Sequence, residues 1–230
     1  MPLPILMDNK GQAIDPDKIS NKIEKFGNSY NNPVKKIIAK SKKLDKDGKE
    51  FFECATLILT KFGMARSGPF HEKNRDKNLR RCWDEAGAGL LEINKLVLNS
   101  DLSRDRYLLE LNDKEREELI VKIWFLTKKL LPITMSKSSY GLVGASKILF
   151  SVLPEIALPV DNTEWLQVFK TVDLGDVLCY MVSDIQNWES QTGRPLNELD
   201  RSKRLTTLPS VYNVMAMAAR PKTYTKPARE

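Results

Sequence analysis

The sequence predicts an all-α protein, a compact bundle of about eight to ten helices. Three observations predict it. Apolar residues recur at helical spacing along nearly the whole chain, strand-like alternation is almost absent, and the periodic segments stop at Gly, Asn and Pro. A chain of 230 residues, 41% hydrophobic and 29% charged, is long enough to bury a real core as one large or two small domains.

Asp15-Pro16 opens a first helix with Ile19, Ile23 and Phe26 on one face, closed by Gly27, Asn28 and the breaker Asn31-Asn32-Pro33. Residues 34–43 read as a short basic helix. An Asp-Lys-Asp-Gly turn leads into 51–62, apolar nearly all round and therefore expected at the centre of the core. Residues 63–78 are polar and broken by Gly68-Pro69, which predicts a loop. A long helix follows over 79–98, its stripe made by Trp83, Leu90, Leu91, Ile93, Val97 and Leu98. Gly87 and Gly89 each weaken it by up to about 1 kcal/mol relative to Ala. A kink or a close helix contact is expected there.

Asn112-Asp113 and the acids Glu115, Glu117 and Glu118 cap a helix running through Trp124 to Leu131, where Pro132 ends it. Acids at that end suit the positive helix terminus, which assigns them to stability. Helices are expected at 145–153, 162–170, 177–188 (capped by Asp173) and 211–219, the last rich in small residues and Met. His71 lies in the polar loop and is expected to face solvent. The organisation reads as an N-terminal region 1–132, a C-terminal region 133–219 and a basic tail 220–230 that Pro221 and Pro227 keep disordered, or as one continuous domain with that tail.

Several function classes are excluded at this level. No run approaches the roughly 20 apolar residues of a membrane helix. The opening Met-Pro-Leu-Pro-Ile-Leu lacks the basic start and the length of a secretory signal, so an intracellular protein without a membrane partner is expected. Cys54, Cys82 and Cys179 are far apart and accompanied by His71 alone. No structural zinc site, iron–sulfur cluster or other metal or cofactor is expected, and the thiols are expected to be reduced. Asp173, Asp176 and Asp184 lack a further ligand type nearby and read as cap and surface.

The net charge of +7 and the pI near 9.2 indicate an anionic partner. Lys35, Lys36, Lys40, Lys42, Lys43, Lys46 and Lys49 crowd one segment, and Arg201, Lys203, Arg204, Arg220, Lys222, Lys226 and Arg229 gather near the C-terminus. Either group can neutralise phosphates with release of counterions. Lysine-rich helices are also common as plain solvated faces, and both readings stand for Lys35, Lys36, Lys40, Lys42 and Lys43.

Residues 140–169 concentrate the chemistry. Tyr140 and Gly141 lead through Leu142-Val143 to Gly144, and a helix carrying Ser146 and Lys147 begins at once. Backbone N–H groups at such a start, with the helix dipole, can hold a phosphate without any side chain. Pro154 and Pro159 forbid regular helix over 153–160 and turn the chain back beside the hairpin. Asp161 then opens the next helix, with Trp165, Leu166 and Phe169 at helical spacing.

Gly-Leu-Val-Gly-Ala-Ser-Lys-Ile-Leu followed by Leu-Pro-Val-Asp-Asn-Thr-Glu-Trp-Leu resembles the hairpin and the Pro-Val-Asp helix start of the helix-hairpin-helix DNA glycosylase superfamily. The resemblance spans about thirty residues. It implies a hairpin that binds DNA phosphates, an aspartate that stabilises the positive charge developing on deoxyribose as the base departs, and in some members a lysine that attacks the sugar carbon. Asp161 matches the aspartate, Gly144 the second hairpin glycine and Lys147 approximately the lysine. Leu142 stands where the pattern has its first glycine, Lys147 falls one residue late, and the stretch from Lys147 to Asp161 is short. Those departures describe a divergent branch.

The chemistry suits these residue types. A fixed carboxylate lowers the energy of an oxocarbenium-like sugar. A lysine nucleophile must lose its proton near neutral pH, through burial or a neighbouring cation. A flipped base needs an aromatic face, for which Tyr140, Trp165 and Trp188 are candidates. Plainer roles stand beside these: Asp161 with Glu164 as a capping box, Lys147 as a solvated lysine, and Trp165 as core. The expected partner is DNA, with a protein partner left open. The function class is a DNA-binding protein of glycosylase type, against a non-enzymatic helical binding module and, behind both, a metal-dependent nuclease.

Overall fold

The computed structural model describes residues 2–66, 68–136, 141–203, 205 and 207–221, without the side chains of 27–32. Among these residues there is no strand, and Met7 and Ala13 form an isolated antiparallel bridge. The expected all-α class is what the chain adopts.

Helix α1 spans Pro16–Ser41, with the Asp15 carboxylate accepting from the amides of Asp17 at 3.0 Å and Lys18 at 3.2 Å. It continues through Pro33, where the sequence predicts a break and a second helix. An interior proline costs about 3 kcal/mol. Ile19 and Ile23 before it and Val34 and Ile37 after it are all buried in one core, and that shared burial favours one continuous helix.

Helix α2, Lys49–Lys61, buries Phe51, Cys54, Ala55, Ile58 and Leu59 and packs on α6, as its all-round apolar character predicts. The expected polar loop of 63–78 is shorter than its composition suggests. Met64–Arg66 and Gly68–Phe70 form single 3₁₀ turns, and α3 already begins at Glu72 and continues to Asn99. His71 caps it, its Nδ1 accepting from the Lys73 amide at 3.5 Å. Residues 72–76 are mostly exposed and carry no apolar stripe, so periodicity is silent about this first turn.

In α3 the close helix contact is at Gly89, where an added Cβ would lie 2.6 Å from Leu126 Cδ2 on α5. A short helix α4, Tyr107–Glu110, precedes α5, Asp113–Thr134. Asn112 Oδ1 caps α5 by accepting from the Glu115 amide at 2.9 Å. Pro132 sits inside its last turn and does not end it. Helix α6, Leu142–Val152, starts directly after Gly141, ahead of the expected Ala145. A π-helical turn covers Glu164–Phe169, and Lys170 at φ 54° closes it. Helix α7 is Leu174–Thr192, capped by Asp173, and α8 is Leu208–Ala218, with Pro209 in its first turn.

One cluster of buried apolar side chains runs from Ile5 to Ala216 and includes Phe51, Phe70, Phe150, Trp165, Phe169, Trp188 and Tyr212. It joins the N- and C-terminal regions in a single core. Leu3 N–H donates to the Val168 carbonyl at 2.7 Å and Trp188 Nε1 to the Ile14 carbonyl at 2.8 Å, which binds the N-terminal segment to the π turn and to α7. No helix among the described residues is long and apolar enough to cross a membrane.

Candidate functional site

The hairpin is built by a close approach of α6 to the end of α5. Gly141 adopts φ +80°, a conformation other residues rarely take, and a Cβ there would lie 2.9 Å from the Leu131 carbonyl oxygen. Thr134 Oγ1 donates to the Gly141 carbonyl at 2.7 Å. Gly144 meets the same threonine, its missing Cβ falling 2.8 Å from Thr134 Cβ. Both glycines are therefore required by packing, and Leu142 and Val143 between them are buried.

All residues of α6 are buried, because α1, α2 and α5 cover it on every side. Ser146 contributes to the site from inside. Its Oγ accepts from the Val160 amide at 3.2 Å and lies 3.3 Å from the Val160 carbonyl, which staples the Pro-Val segment onto the hairpin helix. Glu155 in the same bend is 3% exposed and pairs with Arg104, which fixes its other end.

This staple brings Lys147 and Asp161 together. Lys147 is 2% exposed, and its Nζ lies 2.5 Å from Asp161 Oδ1 and 5.5 Å from the centre of the Phe62 ring. Asp161 keeps 43% of its side chain exposed. Its second oxygen, Oδ2, accepts from Arg220 Nη2 at 3.1 Å, so the carboxylate lies between a buried ammonium and a half-buried guanidinium. Arg220 also approaches Glu164, Nη2 to Oε1 at 3.2 Å. Glu164 has no exposed surface, and its Oε2 accepts from the Asp161 backbone amide at 2.6 Å.

The result is a chain of alternating charges, Lys147, Asp161, Arg220 and Glu164. Burial raises the Glu164 carboxyl to about 7, against the opposing pull of Arg220 and of the Asp161 amide. For Arg220, burial works against the charge, and the two carboxylates outweigh it and hold the guanidinium above its ordinary value.

Half of the capping-box reading is realised. Glu164 reaches back to the Asp161 amide as the motif requires, while the Asp161 carboxylate turns away to the two cations. Lys147 is not a solvated lysine, since α6 has no solvent face. Arg220, grouped by sequence with the tail, folds onto Asp161. Glu164 and Arg220 are not singled out as site residues by sequence, and the position of Glu164 three residues after Asp161 is the signal that could have found it.

The structure places the remaining candidates outside this quartet. Lys35, Lys36, Lys42 and Lys43 are exposed on and just past α1, and Lys40 beside them pairs with Glu53. Gly141, Gly144 and Ser146 are buried. Tyr140 and the tail residues beyond Pro221 lie outside the described residues. Trp165 and Trp188 are core residues, 2% and 0% exposed. Asp184 accepts from the buried Tyr212 hydroxyl at 2.8 Å. Comparison with protein-family models, with curated proteins and with solved structures yields no significant match to this chain.

Proposed function

We propose that the chain is a DNA-binding protein whose Lys147–Asp161 pair cleaves an N-glycosidic bond. The single observation that carries this reading is the 2.5 Å approach of the two groups, from the two helices that flank the Pro-Val bend, with the aspartate still half open to solvent. In this scheme the base leaves with the electrons of its bond to the sugar, and Asp161 stabilises the positive charge left on the ring. Asp161 takes the proton of the Lys147 ammonium and passes it to the departing base, which returns the carboxylate to its charged form, and the free amine attacks the sugar carbon. Substrate phosphates draw Arg220 off Asp161 Oδ2, which frees that oxygen to face the sugar. Lys35, Lys36, Lys42 and Lys43 supply phosphate contacts.

A second reading is favoured by one specific observation. Both Asp161 oxygens are already held by cations, and such a quartet can serve only to lock the hairpin to the C-terminal helix. Base release and borohydride trapping on duplexes with various lesions separate the two. An enzyme loses on the order of 100-fold or more in base release as Asp161→Asn and loses trapping as Lys147→Ala. If both variants match the parent while duplex binding still falls with salt, the protein binds without chemistry. Loss of activity on chelation would indicate a metal-dependent nuclease.

A further inference from the structure

Helix α5 and its C-cap carry an exposed seam that no other described residue covers. Glu118, Val121, Phe125, Lys128, Pro132 and Met135 follow one another at alternating three- and four-residue steps, the spacing by which one helix meets another. Val121 is 61% exposed, Phe125 56% and Met135 52%. Single exposed apolar residues are ordinary. Two in register on one helix, with a third at its C-cap, are not, because burying them would recover free energy that solvent exposure leaves unused.

The charges beside the seam are segregated. Glu117 and Glu118 flank its N-terminal half, and Lys128 and Lys129 its C-terminal half, with Lys128 Nζ 5.7 Å and Lys129 Nζ 5.3 Å from the centre of the Phe125 ring. Lys122, between the halves, is already engaged by Glu92 of α3. Acids along half the seam disfavour a nucleic acid as its occupant. A helix bearing the same charges in reverse would match it over residues 117–129, and that helix is α5 itself.

We propose that α5 is a self-association surface on which a second copy of this chain lays its own α5 antiparallel. With a twofold axis level with Ile123, Val121 faces Phe125 of the second copy, Glu118 faces its Lys128, and Glu117 faces its Lys129. Each contact occurs twice, as a closed twofold interface requires. A parallel arrangement would set acid on acid and lysine on lysine. Beside the seam, a 420 Å³ groove between α5 and α7, lined by Glu117, Val121, Trp124, Asp173 and Cys179, receives the Phe125 ring of the second copy.

Sedimentation velocity on the full chain over a range of concentrations tests this, with circular dichroism to confirm that each variant is folded. The parent shifts to twice the monomer mass, and Phe125→Asp remains at the monomer mass. Glu117→Lys with Glu118→Lys gives a monomer, and so does Lys128→Glu with Lys129→Glu. Mixing those two double variants restores a dimer, because each supplies the sign the other lacks. A parent that stays monomeric, a Phe125→Asp variant that still dimerises, or double variants that dimerise alone would overturn the proposal. So would a monomeric parent whose Phe125→Asp variant loses duplex binding, which would assign the seam to nucleic acid.

Discussion

Four charged side chains in alternation are held by geometry that none of them could maintain alone. Lys147 and Glu164 are buried, and each is tied to Asp161, Lys147 to its carboxylate and Glu164 Oε2 to its amide, while Glu164 Oε1 has only the ion-pair contact of Arg220. Glu164 makes stability depend on pH. Its carboxyl is raised from an ordinary value near 4.5 to about 7 in the fold, so between these limits the native state keeps a proton that the unfolded state has released. Stability attributable to this group is present below the lower limit, falls as pH rises through that window, and levels off above it. The fall amounts to up to about 3 kcal/mol. Glu164→Gln, which keeps an oxygen for the Asp161 amide, is expected to flatten this part of the urea-midpoint profile, and an unchanged slope would contradict the assignment. That Asp161 and Glu164 form a unit was legible in their spacing. The partners of Asp161 were not, since Arg220 reaches it from the far end of the chain and nothing local marks that contact.

At the scale of elements, glycine and proline explain most of the agreement and most of the differences. Gly141 starts α6 in a left-handed conformation with no room for a side chain, and Gly141→Ala is expected to cost about 1–3 kcal/mol. Thermal or urea unfolding measures it. By contrast Gly63, also at positive φ but with nothing within 4 Å of the position a Cβ would take, should lose only the conformational part, about 1 kcal/mol. Helix stops written as Asn-Asn-Pro at Pro33 and as Pro132 were overridden, each for its own physical reason. Pro33 is flanked by four buried aliphatic residues on one core, and Pro132 lies in the last turn of α5, so the turn it disrupts has little helix after it. The first turn of α3 was missed because capping by His71 and exposure of its polar residues leave no periodic trace.

At the scale of the molecule, one core makes the thiols unequal. Burial pushes Cys54 and Cys82 up to about 12, while Cys179 is exposed beside α5. A thiol reagent at pH 8, applied to protein dilute enough to be monomeric, is expected to modify Cys179 alone in the native chain and all three residues in denaturant, read by intact mass. Early modification of Cys54 or Cys82 would show that the core opens readily. The basic excess belongs to the same scale. If the exposed lysines of α1 hold phosphates, substituting Lys35, Lys36, Lys42 and Lys43 together by Gln should lower duplex affinity and reduce the salt slope by up to about one for each phosphate no longer neutralised. An unchanged slope would return them to a solvated face.

By itself the sequence determined the helical class, the order of most helices and the closeness of the hairpin to the Pro-Val-Asp turn, because periodicity, caps and prolines act within a few residues of where they are written. Only the tertiary structure decided that Lys147 is buried, that its ammonium meets Asp161, and that Arg220 closes the other side. Those outcomes depend on which helices cover α6 and on where α8 ends, and both are set by packing between segments far apart in the chain.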